Sequence, residues 1–399
     1  IYDPEEDRFI LAFLSGRTPG YTGIIVGFSQ TNDPMGAWNV YMLEGNPLND
    51  NTWTDFPAMT ISEDELFITG NLIINGVSWQ EGFNGTVVWQ VDKFSGYNDE
   101  PTLTTQLWSD LKHDGSFVRN FFPINGSKGT QASNVYFLSN RNFALESDSI
   151  YLIEITGNIS SSPDLNITLL STDVPYGFPP NGRQQDDDPN DETDGLQTND
   201  ARVLGGFIHN NEIQFVGNTV NPATGLAAVY HGTIKDVSGN PVVTGHIIGH
   251  GIRDYGYPNI AYTGYEDDHI QSIIAFNHTS PLDYAGISAV YYANDGSYSE
   301  IMTLAVGNSY VDKISGSYER WGDYFGIQTV YSNPGHVWLS GFYGETGERS
   351  NTWVTHLVSP DTLPIIISNC DDFNVLSHVI ETSNLNDCNG IIDLDISGG

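Results

Sequence analysis

The chain of 399 residues carries 50 Asp and Glu against 14 Lys and Arg, a formal net charge of −36. A surface this acidic repels DNA, RNA and anionic membranes, which excludes nucleic acid as a partner and favours a setting where salt or divalent cations screen it. With 39% hydrophobic residues the chain can bury a large core, and it has no run of about 18 apolar residues that would cross a membrane.

Ile1 opens on a strand-like segment with neither an initiator Met nor a signal peptide, so the chain reads as a mature or trimmed piece of a longer protein. One phrase then returns six times: a polar or acidic lead-in, a short apolar run, and a small or amide residue. Its copies are Arg8–Phe13, Glu65–Asn71, Asn134–Asn140, Glu212–Asn218, His269–Phe276 and His336–Phe342, at spacings of roughly 57 to 78 residues. A supersecondary unit repeated at this period marks a propeller or a solenoid.

After each copy comes a second apolar run: Gly23–Ser29, Thr86–Asp92, Ser149–Ile155, Ala227–Gly232, Ile287–Tyr292 and Thr352–Leu357. β-Branched and aromatic runs broken by Gly, Asn, Asp and Pro, with almost no 3.6-residue period, predict an all-β domain of antiparallel strands. A further segment with an acidic residue at its mouth precedes several copies: Trp53–Met59, Asp200–Val203, Arg253–Ile260 and Arg320–Ile327. In a four-stranded blade the first strand is innermost, so these mouths would ring a central channel. Fourth strands are expected near Trp38–Leu43, Leu103–Trp108, Asn166–Leu170, Val242–Ile247, Glu300–Leu304 and Leu363–Ile367. The predicted fold is a six-bladed β-propeller of four-stranded antiparallel blades over residues 1–368, its first inner strand cut back to Ile1-Tyr2. A seven-bladed ring is the alternative.

Residues 369–399 are Asn- and Asp-rich and begin a second module. They contain both cysteines, Cys370 and Cys388. In an exported protein these pair as a disulfide worth roughly 3 kcal/mol, and two free thiols are the other reading.

Tyr2-Asp3-Pro4, Asp7-Arg8-Phe9, Asp33-Pro34-Met35-Gly36-Ala37-Trp38, Trp53-Thr54-Asp55-Phe56-Pro57 and Arg320-Trp321-Gly322-Asp323-Tyr324 together resemble the propeller domains of secreted, multi-modular surface proteins of Bacteroidota. The tail from Asp387 to Gly399 resembles the opening of a SprB-type repeat, the module strung along gliding and attachment adhesins exported by the type IX secretion system. It lacks the Pro-Tyr and Trp positions of the complete repeat. The resemblance implies an extracellular, cell-surface location and covalent membership of a longer multi-module chain.

Asp55, Asp200, Asp254 and Asp323 stand where a carboxylate ring would form at one channel mouth, a hard-oxygen site for Ca²⁺. Arg119, Arg202, Arg253 and Arg320 lie beside the same segments, so structural Asp–Arg pairing competes with that reading. Guanidinium groups also capture a sugar carboxylate in bidentate fashion, which makes Arg253, Arg320, Asp323 and Asp254 candidate ligand-binding residues. In the acidic segment 186–195, Asp188, Asn190, Glu192 and Asp194 alternate ahead of Gly195 as a stretched Ca²⁺ loop without its distal Glu. A solvated insertion reads equally well. Most tryptophans fall in strand patterns as core, whereas Trp79, in a polar stretch, is the candidate for stacking on a sugar.

Neither His-Glu-x-x-His, Gly-x-Ser-x-Gly, Cys-x-x-Cys nor a phosphate loop is present. The expectation is a non-enzymatic recognition and adhesion module of a surface protein, binding a glycan or other surface ligand, with Ca²⁺ as structural ion. The alternative is a polysaccharide-active enzyme, a lyase or glycosidase, with its site at the channel mouth.

Overall fold

The computed structural model describes residues 1–185, 195–313, 319–321, 323 and 325–360, and the backbone of 374–380 and 391–397. The chain divides into two compact units, Ile1–Ser359 and Pro360–Gly399. In the second, Asn374–Ile380 pairs antiparallel with Ile391–Ser397. The expected Cys370–Cys388 disulfide, the ligands Asp188, Asn190, Glu192 and Asp194, and the strand near Leu363–Ile367 lie outside the described residues.

The first unit is built from antiparallel sheets in chain order. The first holds Tyr2–Asp3, Arg8–Thr18, Tyr21–Ser29 and Trp38–Glu44; the second Thr52–Ile61, Glu65–Ile74, Phe83–Asp92 and Thr105–Trp108. The third holds Phe122–Pro123, Asn134–Asn140, Ser147–Thr156 and Asp164–Tyr176; the fourth Val203–His209, Glu212–Val220, Ala227–Lys235 and Val242–Ile248. A parallel bridge, Thr172 to Val243, joins these two into one nine-stranded sheet that Asn125–Gly126 extends in parallel beside Val203–His209. Asp254–Tyr262, Ser272–Thr279, Gly286–Tyr292 and Met302–Ala305 form the fifth, and Gly326–Thr329, His336–Glu345 and Arg349–Val358 the sixth. The recurring phrase is the second strand of each sheet. Only the fifth copy is displaced: the strand begins at Ser272 because His269 closes a turn onto the Glu266 carbonyl.

The second strands of the second to fifth sheets read as apolar runs, without strand alternation, because both faces are covered. Ser272–Thr279 is buried throughout, and Glu65–Ile74 in all but its last residue. Successive sheets share a core cluster: Ile10, Phe28, Ile68 and Trp89 between the first two; Phe67, Val88, Phe137 and Ile153 between the next. Leu138, Leu152, Phe215 and Tyr230 follow, then Phe207, Val216, Tyr255 and Phe276, then Ala275, Ile287, Leu339 and Phe342. Tyr2 stacks against Tyr331 at 6.4 Å, bringing the last sheet back to the first. Face-to-face sheets that return on themselves are a β-propeller. Trp338 and Trp353 depart from the expected core role, at 53% and 44% exposed on the sixth sheet.

Two histidines are sealed between strands. His231 meets Tyr298 Oη at 2.7 Å and His278 meets Ser288 Oγ at 2.8 Å. Burial holds their pKa values down, to about 3 and about 4. Their folded values lie below the unfolded value of about 6.5, so the stability they contribute is complete above that pH and lost as pH falls toward the folded values. Urea unfolding midpoints are therefore expected to drop between pH 7 and pH 5, and His231→Gln, where it folds, should flatten the drop. A midpoint unchanged over that range contradicts the assignment.

Candidate functional site

The N-terminal ends of the inner strands converge through two kinked strands. The ladder slips between Asp55 and Ala58 and again between Gly256 and Asn259. At these bulges Phe56 and Tyr257 adopt φ of 55° and 51°. Each precedes a proline, Pro57 and Pro258. A left-handed aromatic residue costs about 1–3 kcal/mol and persists only where packing demands it. Here both bulges turn their rings into a cavity of about 190 Å³, shared with Phe122, Phe325 and Asp323. That volume suits one ring-sized ligand rather than a drug-sized one, for which pockets start near ~300 Å³.

The acids of this mouth differ in environment. Asp200, fully buried, accepts from Arg202 Nε and Nη2 at 2.7 Å each and from the Arg202 backbone N–H at 3.1 Å. Burial alone would pull the Arg202 pKa down, but Asp200 more than offsets it and the value is raised. The same guanidinium faces Phe56 at 4.6 Å and Trp79 at 5.6 Å. Asp55 has its pKa raised, chiefly by burial, against the opposing hydrogen bond at Phe56 and the charges of Arg202 and Arg320. At the rim Asp323 pairs with Arg320 and accepts from Tyr257 Oη at 3.4 Å.

Arg119 completes the cluster from the third sheet's approach. It stacks on Phe83 at 4.0 Å and Phe143 at 5.3 Å and donates to the Gln80 carbonyl at 3.0 Å. Its pKa is lowered by burial first, with Asp200 opposing and Arg202 adding to the fall. Among the described residues it forms no ion pair. Trp79 packs on Phe143 at 5.8 Å, so the aromatic wall and the guanidinium groups form one surface.

Of the residues expected from sequence, the structure brings Asp55, Asp200, Asp323, Arg320 and Trp79 to this mouth, with Arg119 and Arg202. Asp254 is instead buried against Arg183, 2.7 Å from its Nε, and accepts the Ala227 N–H at 3.1 Å. Arg253 grips Asp283 through Nε at 2.9 Å and Nη2 at 3.2 Å and reaches Thr303 on the fifth sheet's outer strand. Asp200, Asp254 and Asp323 thus each carry an arginine, which is charge pairing rather than an open oxygen cage. Phe56, Tyr257 and Arg183 were not singled out from the sequence. The recurrence of aromatic-Pro at Phe56-Pro57, Phe122-Pro123 and Tyr257-Pro258 is the signal that marks two of them.

No protein-family model matches this chain, and no curated protein does. Solved structures match at low identity. A structure described as an RGII complex is 11% identical, over 78% of this chain and 90% of that one, with a TM-score of 0.39. An endo-arabinase from Bacteroides thetaiotaomicron is 12% identical, over 77% and 93%, with a TM-score of 0.37. A Trypanosoma rangeli sialidase is 12% identical, over 88% of this chain and 55% of that one, with a TM-score of 0.40.

Glycoside hydrolases recur among these structures. Against these findings the expectation of a non-enzymatic adhesion module is withdrawn. At these identities and scores they carry no argument about what this chain does, which rests on the mouth itself. The physical reason for the correction is the repeat: a propeller assembles its site from one or two residues per sheet. Asp55, Asp200, Tyr257 and Asp323 are separated by whole blades, so such a site leaves no contiguous motif, and the missing motifs did not count against catalysis.

Proposed function

We propose that the chain cleaves glycosidic bonds in an anionic polysaccharide at the arginine-lined channel mouth. The observation that carries this reading is Asp55, a carboxyl kept protonated to higher pH by burial although it stands between Arg202 and Arg320. A carboxyl held protonated to higher pH is suited to give its proton to a leaving oxygen. Asp55 is the proton donor to the leaving oxygen, and Asp323, held by Arg320 and Tyr257, is the second carboxylate. Arg119, with no ion pair among the described residues, receives the substrate's acidic group. Trp79 and Phe143 supply a face for a sugar ring.

The test is release of new chain ends from uronate-rich, sialylated and neutral polysaccharides. Turnover of anionic substrates, reduced by Arg119→Ala, supports the reading; no turnover of any of them overturns it. Trp79→Ala is expected to raise KM about two- to tenfold, the loss of one aromatic contact, with kcat little changed. An extracellular location, membership of a longer surface chain and Ca²⁺ at the segment 186–195 stand as further proposals from the sequence resemblance and composition.

A further inference from the structure

The opposite ends of the inner strands hold a second piece of chemistry that shares no residue with Asp55 and its neighbours. Asn125–Gly126 runs parallel to Phe207–Ile208. The chain then turns sharply through Gly126-Ser127-Lys128-Gly129, closed by the Gly129 N–H donating to the Gly126 carbonyl at 2.9 Å. Both glycines are required, since Gly129 has φ +111° and a Cβ at Gly126 would collide with the Thr130 carbonyl. The turn presents Ser127 to the end of the fourth sheet's inner strand, where its Oγ lies 2.8 Å from His209 Nδ1.

The other imidazole nitrogen, Nε2, lies 2.8 Å from the Asp267 backbone carbonyl. A carbonyl only accepts, so Nε2 carries the proton and Nδ1 offers its lone pair to the Ser127 hydroxyl. Tyr262 stacks on the ring at 4.5 Å and 24°, fixing its plane, and the Asp267 carboxylate holds the Lys128 ammonium at 2.6 Å. Burial, with Lys128 adding to it and Asp267 opposing, lowers the His209 pKa, which leaves a neutral base at pH 7. Ser127 and His209 line a cavity of about 620 Å³, within the usual range for ligand sites. Its other walls offer hydroxyl and amide groups, among them Ser133, Asn134, Asn211 and Ser238.

We propose that Ser127 and His209 are a nucleophile and its base, hydrolysing carboxylic esters of hydroxyl-rich alcohols at this second mouth. Ser127 Oγ bonds to the ester carbonyl carbon as its proton passes to His209 Nδ1. The C–O bond to the alcohol then breaks and His209 returns that proton to the leaving oxygen. Water attacks the acyl-serine, gives its proton to His209, and frees the carboxylic acid and the Ser127 hydroxyl. The Lys128 backbone N–H, next after the nucleophile, donates no hydrogen bond among the described residues and is free to serve as the donor to the developing oxyanion.

The experiment uses the intact chain with 4-nitrophenyl acetate, an acetylated oligosaccharide and a fluorophosphonate probe mapped by peptide mass spectrometry. The expected result is probe attached to Ser127, ester turnover lost in Ser127→Ala, and turnover about 10²-fold or more lower in His209→Gln. The rate should rise with pH through a value below that of an ordinary histidine. Wild-type protein that is not labelled at Ser127, or hydrolysis that survives in folded Ser127→Ala, overturns the proposal. Labelling is read on wild-type protein, so it decides even where a variant fails to fold. If Ser127 only pinned its turn, the probe would not react.

Discussion

Lys93→Met is expected to lower the unfolding free energy by about 3–5 kcal/mol, the cost of leaving a buried charge without its partner. Lys93 Nζ and Asp3 Oδ2 are 2.9 Å apart, and both side chains are 0% exposed. The pair is embedded in further bonds: Tyr97 Oη donates to Asp3 at 3.0 Å, and Lys93 donates to the Ser62 carbonyl at 3.1 Å. Its position explains the size of the effect. Asp3 ends the two-residue inner strand of the first sheet, which has only Phe9 and Arg8 as ladder partners. Lys93 opens the helical turn Lys93–Tyr97 after the second sheet's third strand. The ion pair therefore fastens a strand too short to hold itself. In urea melts the double variant Asp3→Leu/Lys93→Met should lose less than the two single variants added together, because neither charge is then stranded. A Lys93→Met midpoint within error of wild type would show that the pair does not hold the strand.

Asp55→Asn is expected to lower kcat/KM for the anionic polysaccharide by about 10²–10⁴-fold while leaving the melting temperature nearly unchanged. The side chain is half-buried and carries no ion pair among the described residues, so the amide replaces it at little structural cost. The pH dependence gives an independent readout. Activity needs the protonated carboxyl, so it should fall as pH rises through the raised pKa of Asp55. Arg320 favours the charged form of Asp55; removing it in Arg320→Ala raises that pKa further and moves the falling limb to higher pH. A limb that stays in place in Arg320→Ala, or full activity in Asp55→Asn, assigns the proton donor elsewhere.

The fold was largely legible because the second strands of the second to fifth sheets are covered on both faces by neighbouring sheets. That burial writes itself as an apolar run with a polar start, and runs such as Glu65–Ile74 and Glu212–Val220 can be found without any partner in view. The fifth strand was set three residues early because Ile270 is apolar and nothing local reveals that His269 closes a turn. Trp338 and Trp353 look like core by composition, and only the third dimension shows them exposed on the sixth sheet.

The mouth was legible as a place but not as a set of pairs. Asp200 and Asp323 take local partners, Arg202 and Arg320, two and three positions away in sequence, whereas the partners of Asp254 and Arg253 are a tertiary matter. Arg253 sits next to Asp254 in sequence yet binds Asp283, and Asp254 takes Arg183 from 71 positions away. Adjacent residues on a strand point to opposite faces, so neighbours in sequence are seldom the ones that pair. The strained aromatics Phe56 and Tyr257 follow the same rule: their prolines are visible, but a positive φ is a property of the bulge.

By itself the sequence determined the all-β class, the repeat and the acidic surface, because burial and charge are summed over residues wherever they sit. The tertiary structure alone decided that Arg183 neutralises Asp254 and that Arg253 takes Asp283, and that Asp55, among the described residues, is left without an ion pair of its own. It also decided that Ser127 meets His209 across two sheets. Proton affinity and nucleophilicity depend on distance and burial, and neither is defined until the ring has closed.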